Sequence, residues 1–213
     1  MQFTLLYIDD DDVYSTLLDG LLNDYFNINY IDPKGKSLSE IEELLDSRSF
    51  DFLIIDYHLK EKGGCSYNGD EILNSFTHKF PHFPSMLLTS HAEEAISLDT
   101  TFNTNTIHSK EELNNDITSS AFIAKIQKNI TVYRDKLVSK QAELDVLIQK
   151  KLSGVALSSI EEQELINLDK YLDEIDGGDS KKIADEVKKP SNESRIAQLL
   201  EKTDILIDKL EQL

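Results

Sequence analysis

The acidic run that follows the first apolar segment is the feature of this sequence that most directly suggests chemistry. Asp9 to Asp12 come directly after "FTLLYI" (Phe3 to Ile8), which predicts a buried strand. A second apolar segment, "FLIID" (Phe52 to Asp56), also ends in an aspartate. Ligands bind at the carboxyl ends of the strands in a parallel sheet, so Asp9, Asp10 and Asp56 should converge if these strands are neighbours. Close carboxylates raise one another's pKa values, and a hard cation, Mg²⁺ above all, relieves that repulsion.

Two further residues supply the groups that a phosphoryl site needs. Thr89 offers a hydroxyl near the end of the strand-like segment "SMLLTS" (Ser85 to Ser90), and Lys110 follows a weakly marked strand near Asn105 to His108. A metal, a hydroxyl and an ammonium group around one carboxylate can hold an anion that has three oxygens. The pattern therefore predicts that Asp56 is a nucleophile that forms an acyl phosphate, with Mg²⁺ and Lys110 stabilising the phosphoryl charge.

The first half of the chain alternates strand-like and helix-like segments. A short strand, "INYI" (Ile28 to Ile31), and a weak helix between Ser90 and Asn105 complete the alternation. The first helix is predicted from apolar residues at helical spacing, namely Val13, Leu17, Leu18, Leu21, Leu22 and Tyr25. Strands that alternate with helices predict an α/β domain with a doubly wound, five-stranded parallel sheet.

The second half of the chain carries only helical patterns. A heptad-like stripe predicts one long helix and a possible coiled coil, from Ile123, Ile126, Ile130, Tyr133, Leu137, Leu144 and Leu147. Ser159 and Glu162 predict a capping box at the start of a second helix, which ends at Gly177 and Gly178. A third helix is predicted from Ile196 to Leu213. We therefore predict two domains, residues 1–116 and residues 117–213, the second being a module for homodimerisation or partner binding.

Composition narrows the classes of partner. The net charge is −18, which argues against binding to nucleic acid or to an anionic membrane. Cys65 is the single cysteine, so neither a disulfide framework nor a cysteine-rich metal site is expected. No apolar run reaches the roughly 20 residues of a membrane span, and the amino-terminal residues lack a signal-peptide pattern. The sequence therefore predicts a cytoplasmic protein.

Taken together, these motifs resemble the receiver domain of two-component response regulators. The resemblance covers about half the chain, from about Phe3 to Glu112, and each motif is short. The matching segments, in order, are "YIDD" (Tyr7 to Asp10), "LIIDYHL" (Leu53 to Leu59), Gly69, "MLLTS" (Met86 to Ser90) and "HSK" (His108 to Lys110). The resemblance implies a flavodoxin-like fold and a phosphohistidine on a sensor histidine kinase as the usual phosphoryl donor.

The resemblance also implies roles for single residues at the metal and phosphoryl site. Asp9 and Asp10 match the acidic pair that organises Mg²⁺, and the backbone carbonyl of His58 matches a further metal ligand. Asp56 matches the phosphoacceptor, so the implied chemistry is phosphorylation and dephosphorylation of this one aspartate. No separate catalytic domain is expected.

Two other matched residues belong to the switch of the family. Thr89 matches the hydroxyl that moves onto the phosphoryl group, and Lys110 matches the phosphate-binding lysine. The chain departs from the family pattern at Ile107, where an aromatic residue is usual, and at Glu111, where a proline is usual. These departures predict that phosphorylation chemistry is kept while its coupling to an output surface differs.

Two functions are compatible with these features. In the first, the chain accepts phosphoryl groups from a kinase and signals to an effector protein through its helical region. A variant of this function is a phosphate sink, and receivers that resemble this one occur in bacterial anti-phage systems. In the second, the chain is a pseudo-receiver that binds a partner without phosphorylation. The intact set of Asp9, Asp10, Asp56, Thr89 and Lys110 favours the first function.

Overall fold

The computed structural model describes residues 2–61, 64–90, 106–113 and 116–175. The strands are β1 (Phe3–Ile8), β2 (Phe26–Ile31), β3 (Phe52–Asp56), β4 (Ser85–Thr89) and β5 (Ile107–Ser109). The helices are α1 (Asp12–Leu22), α2 (Leu38–Asp46), α3 (Gly69–Lys79), α4 (Asp116–Leu152) and α5 (Ser159–Ile175), with a 3₁₀ turn at Lys110–Leu113. The weak helix predicted after β4, the helix end at Gly177 and Gly178, and the helix predicted from Ile196 to Leu213 lie outside the described residues.

The five strands form one parallel sheet in the order β2-β1-β3-β4-β5. This is the strand order of the flavodoxin-like doubly wound fold, which confirms the predicted fold class. The central pair is β1 and β3, in which Ile8 lies opposite Ile55. The residues that follow Ile8 and Ile55 therefore leave the sheet side by side at its carboxyl edge.

Both faces of the sheet are covered, as the alternation of strands and helices predicts. In β3, Leu53 and Ile55 point to one face and Phe52 and Ile54 to the other, because side chains alternate along a strand. The first face packs against α2 and α3 through Ile41, Leu45, Ile72, Leu73 and Phe76. The second face packs against α1 and α4 through Leu18, Leu22, Phe122, Ile126 and Ile130. The sheet thus lies between two apolar layers, with its carboxyl edge left for polar residues.

Two details of the first half differ from the sequence prediction. The second strand begins at Phe26 rather than Ile28, because all six of its residues pair with β1. In α1, Leu18 and Leu22 are buried, whereas Val13 is 72% exposed and Leu17 and Tyr25 are also exposed. The apolar spacing identified the helix correctly but included residues that face solvent.

The described chain falls into two compact units, the first ending at Lys136 and the second beginning at Leu137. In the second unit, the end of α4 packs against α5 through Leu144, Leu147, Leu165 and Leu168. The division predicted from the sequence, between residues 116 and 117, falls at the start of α4. No helix among the described residues is both long enough and apolar enough to cross a bilayer.

The amino-terminal cap of α5 is shifted by one residue from the sequence prediction. Ser158, not Ser159, accepts a hydrogen bond from the backbone N–H of Glu161 (3.3 Å), and the Glu161 carboxylate accepts one from the Ser158 N–H (2.8 Å). The predicted pair of Ser159 and Glu162 was therefore wrong. Both serines precede an acidic residue at the required spacing, so the sequence pattern alone does not choose between them.

Candidate functional site

The carboxyl edge of the sheet brings together the three aspartates that the sequence singled out. Asp9 and Asp10 follow β1, and Asp56 ends the neighbouring strand β3. All three are buried, with no more than 5% of each residue exposed. One carboxylate oxygen from each lies within 4.8 Å of the others. The convergence expected from the strand pattern is therefore present in the fold.

Lys110 reaches into this cluster from the turn that follows β5. Its Nζ donates to Oδ1 of Asp56 at 2.7 Å and to Oδ2 of Asp9 at 2.9 Å. Burial alone lowers the pKa of Lys110, but the attraction of Asp56 and Asp9 outweighs burial and raises it. Burial raises the pKa of Asp56, and the nearby charge of Asp9 adds to this effect while Lys110 opposes it. One ammonium group thus offsets only part of the negative charge of three carboxylates.

The run of four aspartates divides into two structural roles. Asp9 and Asp10 are buried at the site, whereas Asp11 is the N-cap of α1 and accepts a hydrogen bond from the Val13 N–H at 2.9 Å. Asp12 is exposed in the first helical turn, where a negative charge interacts favourably with the helix dipole. The N-cap is therefore Asp11, and Asp12 is the first residue of the helix.

Tyr7 orients Asp9 and was missed by the sequence analysis. Its hydroxyl donates a hydrogen bond to Oδ2 of Asp9, and the backbone N–H of Asp11 donates to Oδ1 at 2.8 Å. Burial, followed by the charge of Asp9, raises the pKa of Tyr7, so the phenol stays protonated and remains a donor at neutral pH. The available signal was strand alternation, because Tyr7 and Asp9 are two residues apart and share a side of the strand.

Thr89 lies between the two strand ends that carry Asp56 and Lys110. It is fully buried at the end of β4, where the preceding residue, Leu88, is paired with Asp56. On the other side, Thr89 is paired with Ser109, the residue before Lys110. The register therefore places the predicted switch hydroxyl at the same edge as the carboxylates.

The backbone after β3 is held tightly against Asp56. The N–H of His58 donates to Oδ2 of Asp56 at 3.1 Å, which puts the backbone of this predicted metal ligand beside the carboxylate. The Nδ1 of His58 lies 3.0 Å from Glu61. A Cβ at Gly69 would overlap the carbonyl oxygen of Asp56 and lie 2.8 Å from the Ile55 side chain. Only glycine fits at this position without displacing the backbone of Asp56.

The long segment between β3 and α3 is joined to the segment between β2 and α2. The Tyr67 hydroxyl donates to the carbonyl of Lys36 at 3.0 Å, and the Gly35 N–H donates to the carbonyl of Gly64 at 3.1 Å. From the segment between β2 and α2, Nζ of Lys34 donates a hydrogen bond to the backbone carbonyl of Asp10 at 2.5 Å. The backbone of Asp10 is therefore held by a hydrogen bond from Lys34, in addition to the hydrogen bonds that hold Asp9.

The donor set fits the magnesium ion that the sequence predicts. Asp9, Asp10 and Asp56 offer carboxylate oxygens, which are the ligands that hard divalent cations prefer. These carboxylates are buried and carry more negative charge than Lys110 offsets. Burial and, to a lesser degree, the charge of Asp9 raise the pKa of Asp56, and a cation at this place would oppose both effects. Among the described residues, this is the one acidic or histidine-containing group whose ligand atoms come this close.

Comparisons with known proteins give matches among solved structures, whereas no family model and no curated protein matches the chain. The signal receiver domain of an HD domain-containing protein from Pseudomonas fluorescens Pf-5 is 17% identical, with a TM-score of 0.48, over 63% of this chain and 91% of that chain. A response regulator receiver domain protein from Clostridium thermocellum is 20% identical, with a TM-score of 0.43, over 64% and 98% of the two chains. The BeF3-activated receiver domain of DrrB is 16% identical, with a TM-score of 0.45, over 62% and 99%. These structures, to which the chain is similar, are receiver domains, the family that its sequence motifs resemble.

Proposed function

We propose that this chain is a phosphoacceptor receiver that takes a phosphoryl group onto Asp56 from a sensor histidine kinase. The observation that carries the proposal is the buried Asp56 carboxylate, held between Lys110 and the pair of Asp9 and Asp10 at the carboxyl edge of the sheet. A structural role alone does not account for three buried carboxylates and one lysine, because burying unbalanced charge is costly.

The transfer itself needs one nucleophile and a stabilised phosphoryl group. An oxygen of Asp56 attacks phosphorus, and the bond from phosphorus to the donor atom breaks: a P–N bond in a phosphohistidine, a P–O bond in acetyl phosphate. The leaving group departs with the electron pair, and an acyl phosphate remains on Asp56. Lys110, which already contacts Asp56, supplies a positive charge next to the incoming oxygens. The Thr89 hydroxyl supplies a hydrogen-bond donor from the neighbouring strand end.

Mg²⁺ belongs to this proposal as the bound cation. Asp9, Asp10 and Asp56, with the backbone carbonyl of His58, are the residues that would hold it, and the bound ion would supply positive charge to the phosphoryl oxygens. The hydrogen bonds from Tyr7 and from the Asp11 N–H keep the Asp9 carboxylate in place for this task.

The helical region is assigned to protein partners rather than to DNA. Its described helices carry exposed apolar side chains, among them Val138 (71%), Val146 (67%) and Ile160 (80%). These residues support homodimerisation or effector binding, while the acidic chain disfavours nucleic acid. A phosphate sink is the form of this proposal that needs no effector. In a phosphorelay, including one in anti-phage signalling, it would drain phosphoryl groups from the kinase.

Intact mass spectrometry after incubation with acetyl phosphate and Mg²⁺ tests the phosphoacceptor. We expect one phosphoryl adduct in the wild type and none in Asp56→Asn. Asp24→Asn is the matched control, because Asp24 is exposed in the turn between α1 and β2, and it should keep the adduct. If neither acetyl phosphate nor a phosphorylated cognate kinase modifies the wild type, the proposal is wrong and the phosphorylation-independent scaffold takes its place.

Isothermal titration calorimetry with Mg²⁺ tests the metal site independently of phosphorylation. Asp10→Asn should weaken Mg²⁺ binding strongly, whereas Asp12→Asn should leave it unchanged, because Asp12 is exposed in α1 while Asp10 is buried in the cluster.

The lifetime of the phosphoryl adduct separates two forms of the proposal: rapid loss supports a phosphate sink, and slow loss supports a switch. Light scattering of the full chain, with and without the adduct, tests homodimerisation.

A further inference from the structure

The ring of Tyr14 faces the ammonium group of Lys110. Nζ of Lys110 lies 3.9 Å from the centroid of the Tyr14 ring, which is within the range of a cation–π interaction. The same nitrogen donates hydrogen bonds to Asp56 and Asp9. Two of its three N–H donors are thus directed to carboxylates, and the ring covers a further side of a lysine that is only 6% exposed.

Tyr14 also reaches the end of β4. Its hydroxyl oxygen lies 3.5 Å from Oγ of Ser90, the residue that follows Thr89. The ring itself is carried by the first turn of α1, which is anchored by the cap from Asp11. One side chain therefore touches groups that follow both β4 and β5, the two strands that carry the predicted switch residues.

We propose that Tyr14 is a positioning residue that holds the Lys110 ammonium between Asp9 and Asp56 and thereby speeds phosphoryl transfer. This inference rests on the proposed function. A lysine has a flexible four-carbon stem, so its two hydrogen bonds alone leave the ammonium free to move around the carboxylates. A ring 3.9 Å from the ammonium group restricts that movement, and a cation–π contact is strongest where water is excluded.

Phosphorylation rates with acetyl phosphate separate the ring from the hydroxyl. We expect Tyr14→Leu to be phosphorylated about 3- to 10-fold more slowly than the wild type at saturating donor and Mg²⁺, which corresponds to losing a partly desolvated cation–π contact. Tyr14→Phe keeps the ring and should stay within about 2-fold of the wild type. Tyr25→Leu is the matched control, because Tyr25 is exposed beyond the end of α1, and its rate should not change.

A spectroscopic readout detects the contact itself in metal-free, unphosphorylated full chain. In protein with ¹³C-labelled lysine, the ring current of Tyr14 should shift the ε-methylene protons of Lys110 upfield. The Lys110 signal is identified by its absence in Lys110→Arg. The upfield shift should be lost in Tyr14→Leu and kept in Tyr14→Phe. A urea unfolding curve for each variant checks that the fold is retained. If Tyr14 had only a structural role, Tyr14→Leu would lower stability but would not remove the Lys110 shift while Tyr14→Phe keeps it.

The two readouts keep this inference separate from the proposed function. If the wild type is phosphorylated on Asp56 while Tyr14→Leu matches it in both rate and Lys110 shift, the positioning role is wrong and the phosphoacceptor proposal stands. If the wild type accepts no phosphoryl group from either donor, the proposed function fails. The Lys110 shift in metal-free protein then still reports whether Tyr14 contacts the ammonium group.

Discussion

The two ends of the sheet each hold an ion pair, and the pairs differ in burial rather than in length. At the carboxyl end, Lys110 and Asp56 are 2.7 Å apart, and each side chain is only 6% exposed. At the amino end, Arg134 of α4 and Asp51, just before β3, are 2.5 Å apart but 47% and 22% exposed. Similar distances therefore carry different energetic weight, because water screens the second pair and not the first.

The residues around the two ion pairs also differ. Arg134 also lies over the Phe3 ring at 4.7 Å, and the neighbouring Tyr133 packs 5.5 Å from Phe83, so the amino end is held mainly by aromatic packing. The carboxyl end also has aromatic rings, those of Tyr7 and Tyr14, but there they contact Asp9 and Lys110, beside a fully buried threonine and three buried aspartates. The apolar contacts at the amino end serve stability, whereas the buried charges at the carboxyl end cost stability and are explained by the proposed function.

Removing the buried lysine should produce the largest loss of stability. Lys110→Met leaves Asp9 and Asp56 buried without their ammonium partner, and we expect a loss of about 3–5 kcal/mol in the free energy of unfolding at pH 7. Urea denaturation of the full chain, in the absence of Mg²⁺, measures this loss. Saturating Mg²⁺ should restore part of it, because a ligand that binds only the folded state stabilises that state.

The loss in Lys110→Met should also depend on pH in a defined direction. Burial raises the pKa of Asp56 in the folded protein even with Lys110 present. A carboxyl with a raised folded pKa destabilises the folded state above that pKa, and the penalty fades as pH falls toward its unfolded value of about 3.9. The cost of Lys110→Met should therefore be greatest at neutral pH and smaller in acid. A cost that grows as pH falls would contradict this account of the site.

A glycine pair sharpens the comparison at the level of the backbone. Gly69→Ala places a Cβ against the carbonyl of Asp56, so we expect a loss of about 1–3 kcal/mol in unfolding free energy together with slower phosphorylation. Gly20→Ala is the matched control, because Gly20 lies inside α1 with no atom within 4 Å of its added Cβ. It should gain about 0.5–1 kcal/mol from helix propensity. Equal effects of the two substitutions would argue against a close approach at Gly69.

The exposed pair at the amino end should give the smallest effects. Arg134→Ala should cost about 1 kcal/mol or less, and the cost should fall further at high salt. Asp51→Ala should cost more than Arg134→Ala, because the Asp51 carboxylate also accepts a hydrogen bond from the Thr4 N–H at 2.9 Å. Urea unfolding curves of the two variants at low and at high salt measure both losses of stability. If Arg134→Ala cost as much as Lys110→Met, burial would not be what separates the two ends.

The convergence of Asp9, Asp10, Asp56 and Thr89 at one edge of the sheet was predictable because each lies at or just after the end of a strand. Apolar runs mark β1, β3 and β4 in the sequence, and their last or following residues are Asp9, Asp10, Asp56 and Thr89. The contacts of Tyr7 with Asp9 and of Tyr14 with Lys110 were not predicted. Tyr7 lies in an apolar run, which predicts a core residue, and only the tertiary fold brings the Tyr14 ring of α1 to Lys110 after β5. Such contacts join residues far apart in sequence, so no local pattern marks them.

The sequence was also insufficient to predict where α5 begins and which residues of α1 are buried. Ser158 and Ser159 both satisfy the capping pattern, and the hydrogen bonds of Glu161 select Ser158. Likewise, the apolar spacing of α1 does not separate Leu18, which is buried, from Val13, which is exposed. In both cases neighbouring positions are chemically equivalent in isolation, and the path of the backbone decides between them.

By itself, the sequence determined the alternation of strands and helices, the acidic strand ends and the helical second half, because these depend on residue type and spacing along the chain. The tertiary structure alone decided the contacts within the site: which oxygens Lys110 contacts, that Tyr7 lies against Asp9 and Tyr14 against Lys110, and that Gly69 has no room for a side chain. The physical reason is that burial and distance set electrostatic energies, and both arise only when segments distant in sequence pack together.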